Sequence, residues 1–222
     1  GINKTEIIAT ESGKKFVFKS KSGESALGWL SSRGVKGQYL YTNEIAAYQM
    51  AKELGLADKN GRVLVPRTII KIVDEEIGSA QEYVDNSWPY ETAVRKKITP
   101  QADQVLDAAI FDLIIGSGDR HDGNSRLDSD GNIYLIDNGF SFPCVTNRYD
   151  WFGAYSDLTG QKKLQQRHID MLNRVIEDPK IKDLVMRIFA SRAIYNNMVE
   201  RAKWALQENS YLPVWWTWKE TH

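Results

Sequence analysis

The strongest indication of the fold comes from residues 116–139, GSGDRHDGNSRLDSDGNIYLIDNG. Its Gly-Ser-Gly opening breaks an apolar helical pattern, and its Asp-Ser-Asp-Gly-Asn centre has the composition of a turn between two short strands. Asp119 and Asn124 lie on the loop before the first strand, and Asp137 ends the second strand. Because adjacent antiparallel strands lie about 5 Å apart, this hairpin is expected to bring Asn124 and Asp137 together.

Two carboxylates and an amide in this order suit the transfer of a phosphoryl group from a nucleotide. That chemistry needs one carboxylate to orient or deprotonate the acceptor hydroxyl, with an amide and a second carboxylate to hold magnesium against the phosphates. We predict Asp119 for the first role, and Asn124 and Asp137 for the second. Arg120 and His121 are predicted to belong to the same catalytic loop, with His121 supporting it by hydrogen bonding.

Upstream of this stretch, a lysine on a strand is followed by a glutamate on a helix. Lys19 ends an apolar run at residues 16–18, and Glu44 lies in the first turn of the next helical pattern. Such a pair can hold the α and β phosphates of a nucleotide, so both residues are candidate nucleotide contacts. Backbone groups that meet adenine are expected where the β-rich and helical halves join, at Glu82, Tyr83 and Val84.

The first part of the chain is predicted to be β-rich with one helix. Short apolar runs that predict strands cover residues 7–9, 16–18, 67–73 and 77–83. The helical pattern between them has Thr42 as its expected cap and Gly55 as its expected end.

Helical patterns dominate the rest of the chain. Thr99 as cap and Pro100 at the first helical position predict the start of a helix that Gly116 ends. A further helix is predicted shortly after residue 160, and a last one runs from Asp178 to the neighbourhood of Asn209. The whole pattern predicts an α+β fold with two lobes.

We place the β-rich N-lobe at residues 1–84 and the mostly helical C-lobe at residues 85–222. The 29 basic and 29 acidic residues balance, so no overall field favours nucleic acid or an anionic membrane. The single cysteine, Cys144, cannot form an internal disulfide, which indicates a reducing, cytoplasmic compartment. No apolar run approaches the roughly 20 residues that span a bilayer, so no integral membrane association is expected.

Two segments carry a resemblance to a known family. Asp119-Arg120-His121 with Asn124 resembles the Asp-Arg-x-x-x-Asn loop of the phosphatidylinositol 3/4-kinase superfamily and its atypical protein-kinase relatives. Residues 136–143, IDNGFSFP, resemble the Ile-Asp-Asn-Gly-Leu-Ala-Phe-Pro segment of type II phosphatidylinositol 4-kinases. Order and spacing are also similar to those of actin-fragmin kinase and HipA-type kinases, over nearly the whole chain.

This resemblance implies a protein-kinase-like fold that uses ATP with Mg²⁺, or Mn²⁺ in its place. It implies that Asp119 is the catalytic base, that Asn124 and Asp137 bind the metal, and that Lys19 contacts phosphate with Glu44 as its partner.

The sequence departs from the family pattern in two ways, and the second bears on the substrate. The segment expected to cover the phosphates has one glycine and no strand before it, so we expect upstream residues to complete it; its candidate nucleotide contacts are Asn3, Lys4 and Thr5. The cysteine-rich palmitoylation segment and any polybasic cluster are absent, which disfavours a lipid substrate. Protein Ser/Thr phosphorylation is therefore the first prediction. The alternatives are a nucleotide-binding pseudokinase, a phosphatidylinositol kinase and adenylylation.

Overall fold

The computed structural model describes residues 5–22, 24, 39–57, 60–143 and 163–211. Three residues of the sequence predictions, Asn3, Lys4 and Cys144, lie outside these ranges. Within the described part of the chain, the α+β class is confirmed: an antiparallel sheet forms the N-terminal region, and the C-terminal region is mostly helical.

The N-terminal region is a four-stranded antiparallel sheet with the order β1-β2-β4-β3. Its strands are β1 (Thr5–Ala9), β2 (Lys15–Ser20), β3 (Thr68–Val73) and β4 (Glu76–Glu82). The four predicted strands are thus confirmed to within one residue or two at their ends. Gly13, at φ 79°, makes the turn of the first hairpin in a conformation that residues with a Cβ seldom adopt.

The register of the sheet decides which side chains share a face with Lys19. Thr5 pairs with Lys19, and Ile7 pairs with Val17, two residues before Lys19 in β2. Since alternate residues of a strand point to the same face, Ile7, Val17 and Lys19 line one face together. The other face of β2 carries Phe16, which belongs to a small buried cluster.

Helix α1 (Leu40–Glu53) follows β2 in the described chain and begins two residues before the predicted cap, Thr42. Its N-cap is Tyr39, which gives no side-chain hydrogen bond, and the first turn is instead capped from outside the helix. The buried carboxylate of Glu24 accepts a hydrogen bond from the Tyr41 amide at 2.8 Å. A cap supplied from a distant position cannot be read from local sequence. At the other end, Gly55 follows the helix at φ 76°, as expected.

The C-terminal region combines a second, three-stranded sheet with five helices in the described residues. The strands are β5 (Ser87–Pro89), β6 (Ser125–Asp128) and β7 (Ile133–Leu135), in the order β5-β6-β7. The helices are α2 (Tyr90–Arg95), α3 (Ala102–Ile115), α4 (Gln166–Glu177), α5 (Pro179–Phe189) and α6 (Arg192–Glu208). The predicted β6–β7 hairpin is confirmed, whereas β5 is too short and contains too much turn-forming sequence to have been predicted.

One helix starts later than predicted, and one predicted helix is wrong. Helix α3 begins at Ala102 and not at Pro100; the amide of its N-cap residue, Gln101, donates to the Gly131 carbonyl at 2.9 Å and ties this segment to the β6–β7 turn. The predicted single helix from Asp178 is two helices, α5 and α6. They separate at Ala190, which adopts the left-handed conformation at φ 50° and ends α5.

The main core lies around α3, whose residues from Ala108 to Ile115 are all at most 3% exposed. Helix α1 packs its buried face, including Ala47 and Met50, into this same core although it precedes most of the C-terminal region in sequence. None of the helices in the described ranges combines the length and the apolar character needed to cross a membrane.

Candidate active site

A three-membered charge cluster joins the sheet to the helical region. Lys19 Nζ lies 2.5 Å from Glu44 Oε1 and 2.7 Å from Asp137 Oδ1. The Glu44 side chain is 2% exposed and that of Lys19 is 15% exposed, whereas that of Asp137 is 44% exposed. The predicted Lys19–Glu44 ion pair therefore forms in the interior, and Asp137 holds the open side of the cluster.

The elements that carry these residues explain why the cluster forms. Lys19 is on the face of β2 that also carries Val17. Glu44 lies in the second turn of α1 and not in the predicted first turn, because the helix begins earlier, at Leu40. The second oxygen of Glu44, Oε2, accepts a hydrogen bond from the Asn138 amide at 3.0 Å. Glu44 thus contacts both the strand that carries Lys19 and the segment that carries Asp137.

The pKa directions follow from burial and from the neighbouring charges. Burial alone would lower the pKa of Lys19, but the carboxylates of Glu44 and Asp137 outweigh it and hold that pKa above its ordinary value. Burial would raise the pKa of Asp137, and the Lys19 ammonium reverses this and keeps it below its ordinary value. Burial dominates at Glu44, whose pKa is raised despite the opposing charge of Lys19. Lys19 and Asp137 are accordingly charged at neutral pH.

The loop that carries Asp119 and Asn124 starts where α3 ends. Gly116 ends α3 in the left-handed conformation at φ 63°, as predicted from the sequence. The Asn124 side-chain amide donates to the Asp119 carbonyl oxygen at 2.8 Å and approaches Asp119 Oδ2 at 3.5 Å. This contact leaves Asn124 Oδ1, an acceptor oxygen, as the atom available to a cation.

The predicted metal ligands are brought together. The amide of Ile136 donates to the carbonyl of Asn124 at 3.0 Å, so the backbone that leads into Asp137 lies next to Asn124. Oxygen ligands from one or two side chains, completed by phosphates and water, are what Mg²⁺ ordinarily takes in proteins. The amide oxygen of Asn124 and the partly exposed carboxylate of Asp137 fit such an ion. No group of three or more His, Cys, Asp or Glu side chains suited to a metal occurs in the described ranges.

Arg120 faces the interior and does not open into the cleft. Its side chain is 1% exposed and pairs with Asp112 through contacts of 3.0 and 3.2 Å. It also donates to the carbonyls of Asn124 at 2.6 Å and Ile136 at 2.7 Å, and to Asn138 Oδ1 at 2.5 Å. The predicted catalytic role of Arg120 is therefore a positioning role in this structure, because its guanidinium is engaged in holding the loop and the Asp137 segment.

His121 is exposed and contacts its own loop. Its Nδ1 accepts a hydrogen bond from the Gly123 amide at 3.0 Å, so the neutral ring carries its proton on Nε2. The predicted loop-supporting contact of His121 is thus present. A Cβ at position 123 would lie 2.8 Å from the imidazole Cε1, which requires glycine there or a shift of the ring.

The segment predicted to meet adenine has part of its backbone already in use. The Glu82 amide donates to the Arg67 carbonyl at 2.8 Å, and the Tyr83 amide donates to the Lys15 carbonyl at 3.0 Å. The Val84 amide has no acceptor among the described residues. Of the three predicted contacts, only Val84 thus offers an N–H to a ligand, while Glu82 and Tyr83 can offer carbonyl groups.

Thr5 pairs with Lys19 in the β1–β2 register, so one predicted nucleotide contact in the N-terminal segment lies on the strand next to Lys19. Four residues around the site were not singled out from the sequence. They are Val17, Asn43, Asp112 and Asn138. A carboxylate inside the apolar pattern of α3 could have drawn attention to Asp112, and strand alternation from Lys19 could have indicated Val17. Nothing in the local sequence distinguishes Asn43.

Comparisons with known proteins leave the family open. A scan against protein-family models and a search of curated proteins return no match. Among solved structures, the crystal structure of a Helicobacter pylori proinflammatory kinase, CtkA, matches with a TM-score of 0.47 and 15% sequence identity. The match covers 95% of this chain and 90% of that chain. A likeness at this level does not establish an activity, so the functional argument rests on the site.

Proposed function

We propose that this chain is an ATP-dependent phosphotransferase that phosphorylates Ser/Thr hydroxyl groups of proteins. The observation that carries the proposal is the position of Lys19 Nζ between the carboxylates of Glu44 and Asp137. A buried lysine on a strand, a helical glutamate and a partly exposed aspartate beside an asparagine form the set that nucleotide phosphates and their metal require. Asp119 on the adjoining loop completes the set.

The nucleotide would lie between the sheet and the catalytic loop. Val17 and Ile7 share a face with Lys19 and offer apolar surface to the base, while the Val84 amide offers it a hydrogen-bond donor. Lys19 would keep Glu44 as its partner and exchange its contact with Asp137 for the α and β phosphates. The partly exposed Asp137 is the member of the cluster that can release Lys19 at least cost.

Asn124 Oδ1 and Asp137 would hold the metal, which when bound supplies positive charge against the β and γ phosphates. Asp137 is suited to this because Lys19 keeps its pKa low, so it is ionised at neutral pH. Arg120 keeps the backbone of both ligand segments in place from the interior.

Asp119 would act on the acceptor. Its carboxylate orients the acceptor hydroxyl and takes its proton, while the acceptor oxygen forms a bond to the γ phosphorus. The bond from that phosphorus to the β–γ bridging oxygen breaks, and ADP leaves. The Asn124 amide holds the Asp119 segment through its contact with the Asp119 carbonyl.

The test is incubation of the purified chain with Mg²⁺ and γ-labelled ATP, followed by label counting and intact mass. We expect label and one phosphate mass on protein. Asp119→Ala should keep nucleotide binding and lose transfer, and Asp137→Ala should lose both transfer and the magnesium dependence of binding. Asp130→Ala, an exposed acid in the β6–β7 turn, is the matched control and should behave like the wild type.

Other outcomes separate the alternatives. Label on vesicles containing phosphatidylinositol, with none on protein, would replace the protein acceptor by a lipid. An adenylyl mass with α-labelled ATP would indicate nucleotidyl transfer. Magnesium-dependent binding without any transfer would indicate a nucleotide-binding module, and the absence of nucleotide binding would overturn the proposal altogether.

A further inference from the structure

The start of α1 contacts residues 138–141, which directly follow Asp137. Leu40 packs with Phe140 in a small buried cluster, and its Cβ lies 3.2 Å from the position a Cβ on Gly139 would take. Asn43 and Glu44, the fourth and fifth residues of α1, add hydrogen bonds to this segment. The helix that carries Glu44 and the segment that carries Asp137 therefore meet along a continuous interface.

That segment needs external support. Asp137 and Phe142 have φ values of 55° and 60°, in the left-handed region that residues with a side chain seldom adopt. Such conformations persist where surrounding contacts hold them. The two residues bracket the stretch that α1 contacts. Beyond α1, the Gly118 amide donates to the Phe140 carbonyl at 2.9 Å and the Phe142 amide donates to the Ile115 carbonyl at 2.7 Å, so α1 is one of several elements that restrain this segment.

Asn43 is the polar group in the middle of this interface. It is 0% exposed, and its Nδ2 donates to the carbonyl oxygens of Gly139 at 2.6 Å and Ser141 at 3.0 Å. Because both partners are acceptors, only the amide nitrogen can face them, which fixes the orientation of the side chain. A carboxylate of the same shape would place an acceptor against two acceptors.

The Asn43 side chain also lowers the stability of the fold. Asn43 Oδ1 is buried and accepts no hydrogen bond from the described residues. A buried acceptor without a partner is destabilising, and an apolar residue would avoid the penalty if packing were the only requirement. The amide is therefore best explained by the two carbonyls that it holds.

We propose that Asn43 is a positioning residue that fixes the Asp137 segment to the helix carrying Glu44, so that both carboxylates around Lys19 are set as one unit. The proposal rests on the proposed function for its consequence in nucleotide binding. Its structural core, the restraint of residues 138–142 by Asn43, does not depend on catalysis.

The test compares Asn43→Asp and Asn43→Ala with Met50→Ala. Met50 is buried in α1 but belongs to the main core, so it controls for a general loss of stability in the same helix. Hydrogen exchange is measured on the nucleotide-free full chain, below its thermal transition. Both Asn43 variants should speed exchange of the Ser141 and Phe142 amides by about tenfold, and Met50→Ala should not do so selectively.

Magnesium dependence gives the second readout. The Mg²⁺ concentration for half-maximal binding of a fluorescent ATP analogue should rise about tenfold in both Asn43 variants, and remain at the wild-type value in Met50→Ala. If Asn43→Asp does not fold, Asn43→Ala carries the test.

Wild-type exchange at residues 138–142 in the Asn43 variants, or an equal effect in Met50→Ala, would overturn the positioning role. If the wild type binds no nucleotide, the proposed function fails while the exchange result still decides whether Asn43 restrains the segment. Faster exchange with an unchanged magnesium midpoint would overturn the coupling to the metal ligands.

Discussion

The N-terminal sheet and the helical region around α3 are packed very differently. The buried apolar residues of the sheet form a small cluster of Phe16, Phe18 and Ala80, while Ile70 and Ile72 on β3 are 60% and 67% exposed. Residues of α3 such as Ile110 and Ile114 are 0% exposed and belong to a core that also includes α1. Buried apolar area is thus concentrated on one side of the candidate site.

The residues of the candidate site therefore come from two regions that are packed to different degrees. Glu44 is supported by the well-packed region because α1 is part of its core. Asn124 and Asp137 lie in segments of that region itself. Lys19 comes from the lightly packed sheet and is joined to that region by its two carboxylate partners. The residues proposed to hold metal therefore belong to the well-packed region, and the proposed phosphate contact, Lys19, belongs to the lightly packed one.

The largest effect is expected from the buried charge of the helical region. Arg120→Met removes the guanidinium that pairs with the buried Asp112 carboxylate, which should lower the free energy of unfolding by about 3–5 kcal/mol. The control Arg167→Met removes a guanidinium whose side chain is 43% exposed, and should cost less than about 1 kcal/mol. Urea denaturation measures both. Equal costs would show that burial of the Arg120 pair is not what distinguishes it.

The packing comparison itself is tested by two isoleucine truncations. Ile114→Ala in α3 should cost about 2–5 kcal/mol, because it leaves a cavity in the main core. Ile72→Ala on β3 should stay within about 0.5 kcal/mol, because that side chain is already exposed to solvent. Similar losses in denaturant midpoint would contradict the assignment of the two regions as strongly and weakly packed.

Gly78 tests how closely β4 approaches the strand that carries Lys19. A Cβ at this position would overlap the Lys19 carbonyl oxygen, so Gly78→Ala must push β2 aside. We expect a loss of about 1–3 kcal/mol in stability, together with weaker nucleotide binding. Glu76→Ala at the exposed start of β4 is the control and should change neither quantity. Calorimetric titration with ATP and thermal melting distinguish the variants.

The smallest effect is expected at Glu24, which lies between β2 and α1 in the sequence. Burial raises the pKa of its carboxyl group, the Tyr41 amide opposes the rise, and the charge of Glu44 adds to it. The folded state then holds this proton more tightly than the unfolded state, so the ionised group disfavours folding at neutral pH and the penalty fades as pH falls through its folded pKa.

Glu24→Gln keeps an acceptor for the Tyr41 amide without the charge. It should therefore raise the thermal midpoint slightly at pH 7, which corresponds to a gain of less than about 1 kcal/mol in the free energy of unfolding. The gain should shrink towards zero under acid conditions. A gain that grows as pH falls would reverse the inferred sign.

Several parts of the site follow from local pattern. The position of Lys19 at the end of an apolar strand run, with Glu44 on the following helical pattern, predicted an ion pair that does form. The turn-forming residues after Asp128 predicted the hairpin that brings Asn124 next to Asp137. Errors arose where a distant group supplies the local restraint. The starts of α1 and α3 depend on Glu24 and Gly131, which are far away in sequence from the turns that they hold.

The order of strands and helices, the loop position of Asp119 and the charges of the Lys19 cluster can be read from the sequence, because they depend on residue type and short spacing. The burial of Arg120 against Asp112 and the contacts of Asn43 with the segment after Asp137 are visible only in the folded structure. Both depend on contacts between elements whose approach is set by burial of the whole core, and no local pattern records which polar group will be enclosed when that core forms.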